Sequence, residues 1–335
     1  MRNKSIIVIA TAFTFLLMGC DIISDGGMGL PGKEVHSTGD EPVAPTKIPV
    51  IEIHDETGAA KTEEEAQETK PSYPPGYSED VLFDPSWEYA EYTAISSGDA
   101  KLFRASDDRK NVVIGVNAGH GTKGGESVKT YCHPDRSPKV TGGTTAAGSI
   151  KAVAVSGGMT FADGTREAAV TLRMAELLKD ELLDEGFDVL MVRDEEDEQF
   201  DNIARTIMCN NVADCMISLH WDGDGLSYDK GCFYISVPEK LKNMEPVASY
   251  WQEHDRLGQE IIDALSENGY KISGNGHMAI DLTQMSYSTV PSVDIELGNA
   301  ASAHDDATLS GMASAMVRGI CELYTDTGKI IREEE

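Results

Sequence analysis

From about residue 111 onward the chain alternates short β-branched runs with amphipathic helical stretches, and this alternation restricts the fold more than any other feature. Val112-Val113-Ile114-Gly115-Val116 reads as a buried strand closed by Gly119. Arg166 to Glu185 reads as a helix, because Val170, Met174, Leu177, Leu178 and Leu182 share a face and Gly186 suits the stop. Strands are expected over 187–192, 215–219, 232–237 and 292–297, and helices over 203–211, 247–268 and 305–324. Such an order predicts an α/β fold of three layers, a mostly parallel twisted sheet with helices on both faces. The Gly/Ser/Thr-rich stretch 122–165, between the first of these strands and the helix at 166, is long for a connection inside a compact domain, and loops of that length usually serve function.

In open α/β sheets, sites form beyond the carboxyl ends of the strands. His120 closes the first strand, His220 ends Met216-Ile217-Ser218-Leu219-His220, and Glu296 ends Val293-Asp294-Ile295-Glu296. Glu167 falls in the first turn of the helix after the long loop. Two histidines and a carboxylate form a suitable ligand set for zinc with an open fourth position, and a second carboxylate can serve as base. Taken singly, each has a plain structural reading: a satisfied histidine, a helix N-terminal acid favoured by the dipole, a rim carboxylate. What points to chemistry is that all four fall where one sheet edge brings them together. His133 and His277 are further candidates for the substrate groove, and the other histidines read mostly as surface residues.

The 335 residues carry 57 acidic against 28 basic side chains, a formal charge of −29. Phosphate binding needs a cationic face, so nucleic acid is set aside as a partner. The first twenty residues read as an export signal: Arg2 and Lys4, then an apolar run from Ile6 to Met18 too short to span a bilayer, then Leu17-Met18-Gly19-Cys20. That ending resembles the bacterial lipobox, which implies lipid attachment at Cys20 and a membrane anchor facing outward. Residues 21–110 hold 20 acids against 8 bases and much Pro, Gly, Thr and Glu, so they are expected to be a mostly disordered tether, with a packed aromatic segment near 81–103. The remaining organisation is a catalytic domain over 111–327 and an acidic tail over 328–335. Five cysteines beyond Cys20, without a CxxC pair, give no disulfide framework, and a bridge involving Cys132 stays open.

Competing motifs are weak. Gly119-His120-Gly121-Thr122-Lys123-Gly124 fits GxGxxG formally, but a polar Gly-rich loop follows where a dinucleotide site needs a helix. No GxSxG or GxxxxGK[ST] sequence is present. The segment from about 111 to 327 resembles the zinc-dependent N-acetylmuramoyl-L-alanine amidases of the Amidase_3 type. The matching pieces are Gly119-His120-Gly121, Glu167 opening a helix, Gly186-Phe187-Asp188-Val189 with Arg193, Arg205 and Asn210, Ala213-Asp214 leading to His220, and Val290-Pro291 through Glu296-Leu297-Gly298-Asn299. The resemblance implies that His120, Glu167 and His220 bind Zn2+ and that Glu296 is the catalytic carboxylate, acting on peptidoglycan. Arg193, Arg205 and Asn210 read as scaffold contacts. Asp222 stands near where Asn is common in the family after the second histidine, and the insert 122–165 exceeds that of minimal members; its position next to the implied zinc makes it a candidate lid or autoinhibitory element. The sequence leaves open an activator protein as a partner, and two other functions: a non-catalytic wall-binding lipoprotein, or a zinc peptidase cutting stem peptides.

Overall fold

The computed structural model describes residues 72–327; the expected export signal, Cys20, the part of the expected 21–110 tether up to residue 71, and residues 328–335 lie outside the described residues. Among the described residues ten strands and five α-helices follow one another. In chain order they are β1 (Ser78–Leu82), β2 (Asp99–Phe103), β3 (Val113–Ala118), β4 (Lys129–Tyr131), β5 (Lys151–Val153), α1 (Glu167–Asp184), β6 (Asp188–Met191), α2 (Asn202–Val212), β7 (Cys215–Asp222) and β8 (Cys232–Ser236). After them come α3 (Val247–Glu267), β9 (Ile272–Ala279), α4 (Thr283–Ser286), β10 (Ser292–Asn299) and α5 (Asp306–Thr327).

Eight strands form one mixed sheet in the order β1-β2-β6-β3-β7-β10-β8-β9. Its centre, β6-β3-β7-β10, is parallel, as βαβ connections require. Antiparallel pairing enters where β2 joins β6 and where β8 joins β10. On one face Met174, Leu178 and Leu182 of α1, Leu257, Ile261 and Leu265 of α3, and Met316 and Ile320 of α5 pack on Ile114, Val116, Ile217, Leu219, Val293 and Ile295. Leu178 is fully buried there, and truncating it to Ala costs about 2–5 kcal/mol. The opposite face is covered by Ala204, Met208 and Cys209 of α2 on Leu190, Val192 and Met216.

β1 and β2 precede residue 111 yet pair into the same sheet, and the aromatic stretch beside them is part of the packing. Phe83, Trp87, Tyr89 and Tyr92 lie against Ile203, Ile207 and Tyr287. Asp201, which caps α2 through the Ala204 N–H at 2.8 Å, also accepts the Ala94 and Ile95 N–H groups through its other oxygen. Arg104 and Arg109 both pair with the buried Asp188 of β6. Gly186 ends α1 at φ +86°, where a Cβ would lie 2.4 Å from the Asp108 carbonyl oxygen, so only glycine fits this turn. No disulfide joins the described cysteines, and Cys132, Cys209, Cys215 and Cys232 are buried. Among the described residues no helix is long and apolar enough to cross a membrane.

Candidate metal centre and cleft

Side chains alternate along a strand, so the residues that send Ile217, Leu219 and Trp221 into the three-helix core turn Ser218 and His220 the other way. β10 repeats the pattern: Val293, Ile295 and Leu297 point to the core, while Asp294 and Glu296 line a cleft. Parallel register sets Glu296 directly beside His220. His120 follows β3 in the left-handed region at φ +65°, a costly conformation for a non-glycine residue. Two buried guanidinium groups hold it there. Arg193 donates to the Ala118 and Gly119 carbonyls, and Arg205 to the Ala118 and His120 carbonyls and to Asn117 Oδ1. Gly119 is required by close approach, since a Cβ there would meet the His220 ring at 2.3 Å. Asn210 bonds the Tyr287 carbonyl and the Thr289 N–H, steadying the segment that enters β10. These three polar residues are scaffold contacts, as their sequence positions implied.

Glu167, the first residue of α1, completes the group. Its Oε1 lies 2.9 Å from His120 Nε2 and 3.2 Å from His220 Nδ1, and the two ring nitrogens are 3.0 Å apart. Ligand atoms held about 2.0–2.1 Å from a tetrahedral zinc ion sit roughly 3.3 Å from one another. The triangle therefore matches one face of such a site. The proton count points the same way. His120 Nδ1 lies 2.8 Å from the Ser156 carbonyl and 3.1 Å from Ser156 Oγ, so a neutral ring that donates to the carbonyl turns its Nε2 lone pair toward the centre. In that tautomer a cation between Nε2 and the Glu167 carboxylate satisfies both acceptors. Glu167 is otherwise held by N–H groups of Trp221 and Met159, at 3.0 and 2.7 Å.

Burial and the neighbouring acids set the electrostatics of the centre. Burial alone would lower the pKa of His220, but Asp294 and Glu167 outweigh it and push it up to about 10. Burial would raise the Glu167 carboxyl, yet bonds from His120 and His220 hold it well below the usual carboxylate range. Glu296 is raised well above its ordinary value, first by burial and then by the neighbouring Asp294 and Glu167. Its Oε2 is buried and has no hydrogen-bond partner. The four residues His120, Glu167, His220 and Glu296 line a cleft of about 500 Å³, walled on one side by Gly143, Thr144 and Thr145 of the insert.

Residues 114–322 match the Amidase_3 family, described as N-acetylmuramoyl-L-alanine amidase. The chain belongs to the Amidase_3 family. Its fold is similar to N-acetylmuramyl-L-alanine amidase Ami1 of Mycobacterium smegmatis, with 18% identity and a TM-score of 0.54, covering 64% of this chain and 98% of that one. The apo form of Ami1 from Mycobacterium abscessus gives 22% identity and a TM-score of 0.50, covering 63% of this chain and 98% of that one. No curated protein sequence matches the chain. With its His–Glu–His cluster, this Amidase_3 chain has the donor set of a zinc-dependent hydrolase.

The other histidines of the Amidase_3 domain divide by environment. His133 does not face the groove: it is fully buried, with Nε2 3.0 Å from Asp281 Oδ1 and Nδ1 2.8 Å from Ser137 Oγ. His277 stands exposed on the edge strand β9, against the Tyr234 ring and outside the cleft lining. His254, expected at the surface, is buried on α3, where its Nδ1 accepts the Ser292 N–H, and burial lowers its pKa to about 3. The insert 122–165 folds on itself as the β4–β5 pair and is held to the domain by His133 and Lys139 at Asp281 and by the Tyr287 hydroxyl on the Tyr131 carbonyl. Its end reaches the centre itself, with Ser156 on His120 and the Met159 N–H on Glu167. Sequence reasoning missed Asp294 and Ser156. The first was visible as a polar residue two before Glu296 in an alternating strand; the second carries no signal, because it acts through its backbone.

Proposed function

We propose that the chain is an N-acetylmuramoyl-L-alanine amidase, a hydrolase that opens the amide between the lactyl group of N-acetylmuramic acid and L-alanine in peptidoglycan. The observation that carries this reading is the convergence of His120, Glu167 and His220 on one point, with the unpartnered buried oxygen of Glu296 in the same cleft. His120, Glu167 and His220 would hold zinc, which when bound acts as a Lewis acid on a carbonyl oxygen and makes water acidic enough to attack near neutral pH. Glu296 takes the proton of the attacking water, whose oxygen adds to the lactyl carbonyl carbon. As the carbon–nitrogen bond breaks, Glu296 passes that proton to the alanine nitrogen. A lactyl carboxylate and a stem peptide with a free amino end result, and no glycosidic bond is touched. Arg193 and Arg205 keep His120 in its strained position throughout.

The signal-like run before Cys20 and the lipobox-like Leu17-Met18-Gly19-Cys20 support placement outside the cytoplasm, lipid-anchored and facing the wall. Digestion of purified peptidoglycan followed by mass spectrometry tests the bond assignment. The reading expects intact stems beginning with L-alanine. Shortened stems would make it a peptidase, and an unchanged polymer with retained binding would make it a wall-binding protein.

A further inference from the structure

One row below Glu296 and His220, buried polar residues stand on three adjacent strands, and the last of them, Asp294, lines the cleft. Asn117 of β3 is in register with Ser218 of β7, and Ser218 with Asp294 of β10. Asn117 donates to Ser218 Oγ at 3.0 Å, and Arg205 fixes Asn117 in turn. Asp294 ends this row. Its side chain is only 6% exposed, and its Oδ2 lies 3.6 Å from His220 Nε2. The far side of that imidazole, Nδ1, faces His120 and Glu167. One ring thus connects Asp294 to the three-residue centre.

Other buried aspartates have partners that account for them structurally. Asp188 is held by two arginines, Asp201 by backbone N–H groups, and Asp281 by His133, Lys139 and the Val140 N–H. A buried carboxylate costs several kcal/mol when nothing compensates it, and an apolar residue at position 294 would spare that cost. The charge partner of Asp294 is the candidate ligand itself.

We infer that Asp294 is a positioning residue of the metal centre, drawing the Nε2–H of His220 toward its carboxylate so that the Nδ1 lone pair faces the ion. The inference rests on the reading of His120, Glu167 and His220 as a metal site. The negative charge behind the ring fixes the tautomer and makes Nδ1 the better donor. His120 is oriented differently, by the neutral Ser156 carbonyl, so the two imidazoles have unequal support.

The test compares Asp294→Asn and Asp294→Leu with the unchanged full chain. Zinc affinity is read by competition with a chromophoric chelator, zinc release by rapid mixing, and melting temperature on the metal-free proteins. The expected result for Asp294→Leu is zinc binding weaker by about 10–100-fold with faster release. Asp294→Asn keeps an acceptor but not the charge and should fall between it and the unchanged chain. The metal-free variants should melt at or above the unchanged temperature, since a buried charge has gone. Equal zinc affinity in all three proteins overturns the inference and leaves the metal site standing. A lower melting temperature with unaltered affinity of the folded fraction overturns it too, by making Asp294 merely structural. If the unchanged chain binds no zinc, the proposed function and this inference fall together.

Discussion

Two buried clusters of histidine and carboxylate join the segment 122–165 to the rest of the fold, and their surroundings differ. In the first, His133, Lys139 and the Val140 N–H all donate to Asp281, so its acceptors are matched by donors. In the second, His120 Nδ1 faces Ser156 and its Nε2 meets Glu167, with His220, Asp294 and Glu296 close by. Residue types alone do not separate the two. Their partners do: the first cluster has a lysine to match its carboxylate and fastens, while the second gathers three acids around two imidazoles, a set that accommodates a cation.

The sharpest way to break this comparison is to remove a ligand from the second cluster. His120→Ala or His220→Ala should abolish zinc retention and amide hydrolysis together, measured by elemental analysis and product release. Next comes Glu296→Gln, which should keep zinc while slowing turnover by about 10²–10⁴-fold, as expected for the loss of a general acid–base group. A near-normal rate would remove Glu296 from its role. In the first cluster, Asp281→Asn leaves the buried Lys139 without its carboxylate and should destabilise the fold by about 3–5 kcal/mol in denaturant titration. Zinc affinity of the folded protein should change far less there than with His220→Ala.

The smallest effect is a pH dependence. The pKa of Asp281 is lowered: burial opposes this, but His133, Lys139 and the Val140 N–H outweigh it. Its folded value lies below the unfolded one, near about 3.9, so its contribution is whole above that pH and is lost as pH falls through the folded value. Zinc ligands must be deprotonated, so zinc should leave at a higher pH than the one at which this fastener fails. Parallel zinc and unfolding measurements across an acid series would check that order.

Much of this contrast was legible before any coordinates. β3, β7 and β10 announce themselves as apolar runs ending in His120, His220 and Glu296, because a central parallel strand buries both faces and leaves polar residues only at its functional end. The edges were not legible. β9, Ile-Ser-Gly-Asn-Gly-His-Met-Ala, is largely exposed and has no apolar alternation, and β1 alternates only between exposed and half-buried positions. The hairpin strands β4 and β5 have three residues each, too few for a period to show. The role of His133 was hidden for a different reason: its partner Asp281 is 148 residues away, and nothing local to either marks the pair.

The most direct measurement is zinc stoichiometry of the purified, active chain, taken beside His220→Ala prepared identically. One zinc per unchanged chain and none retained by the variant is the result expected here. An active preparation free of transition metal, or equal zinc in both proteins, would contradict the account.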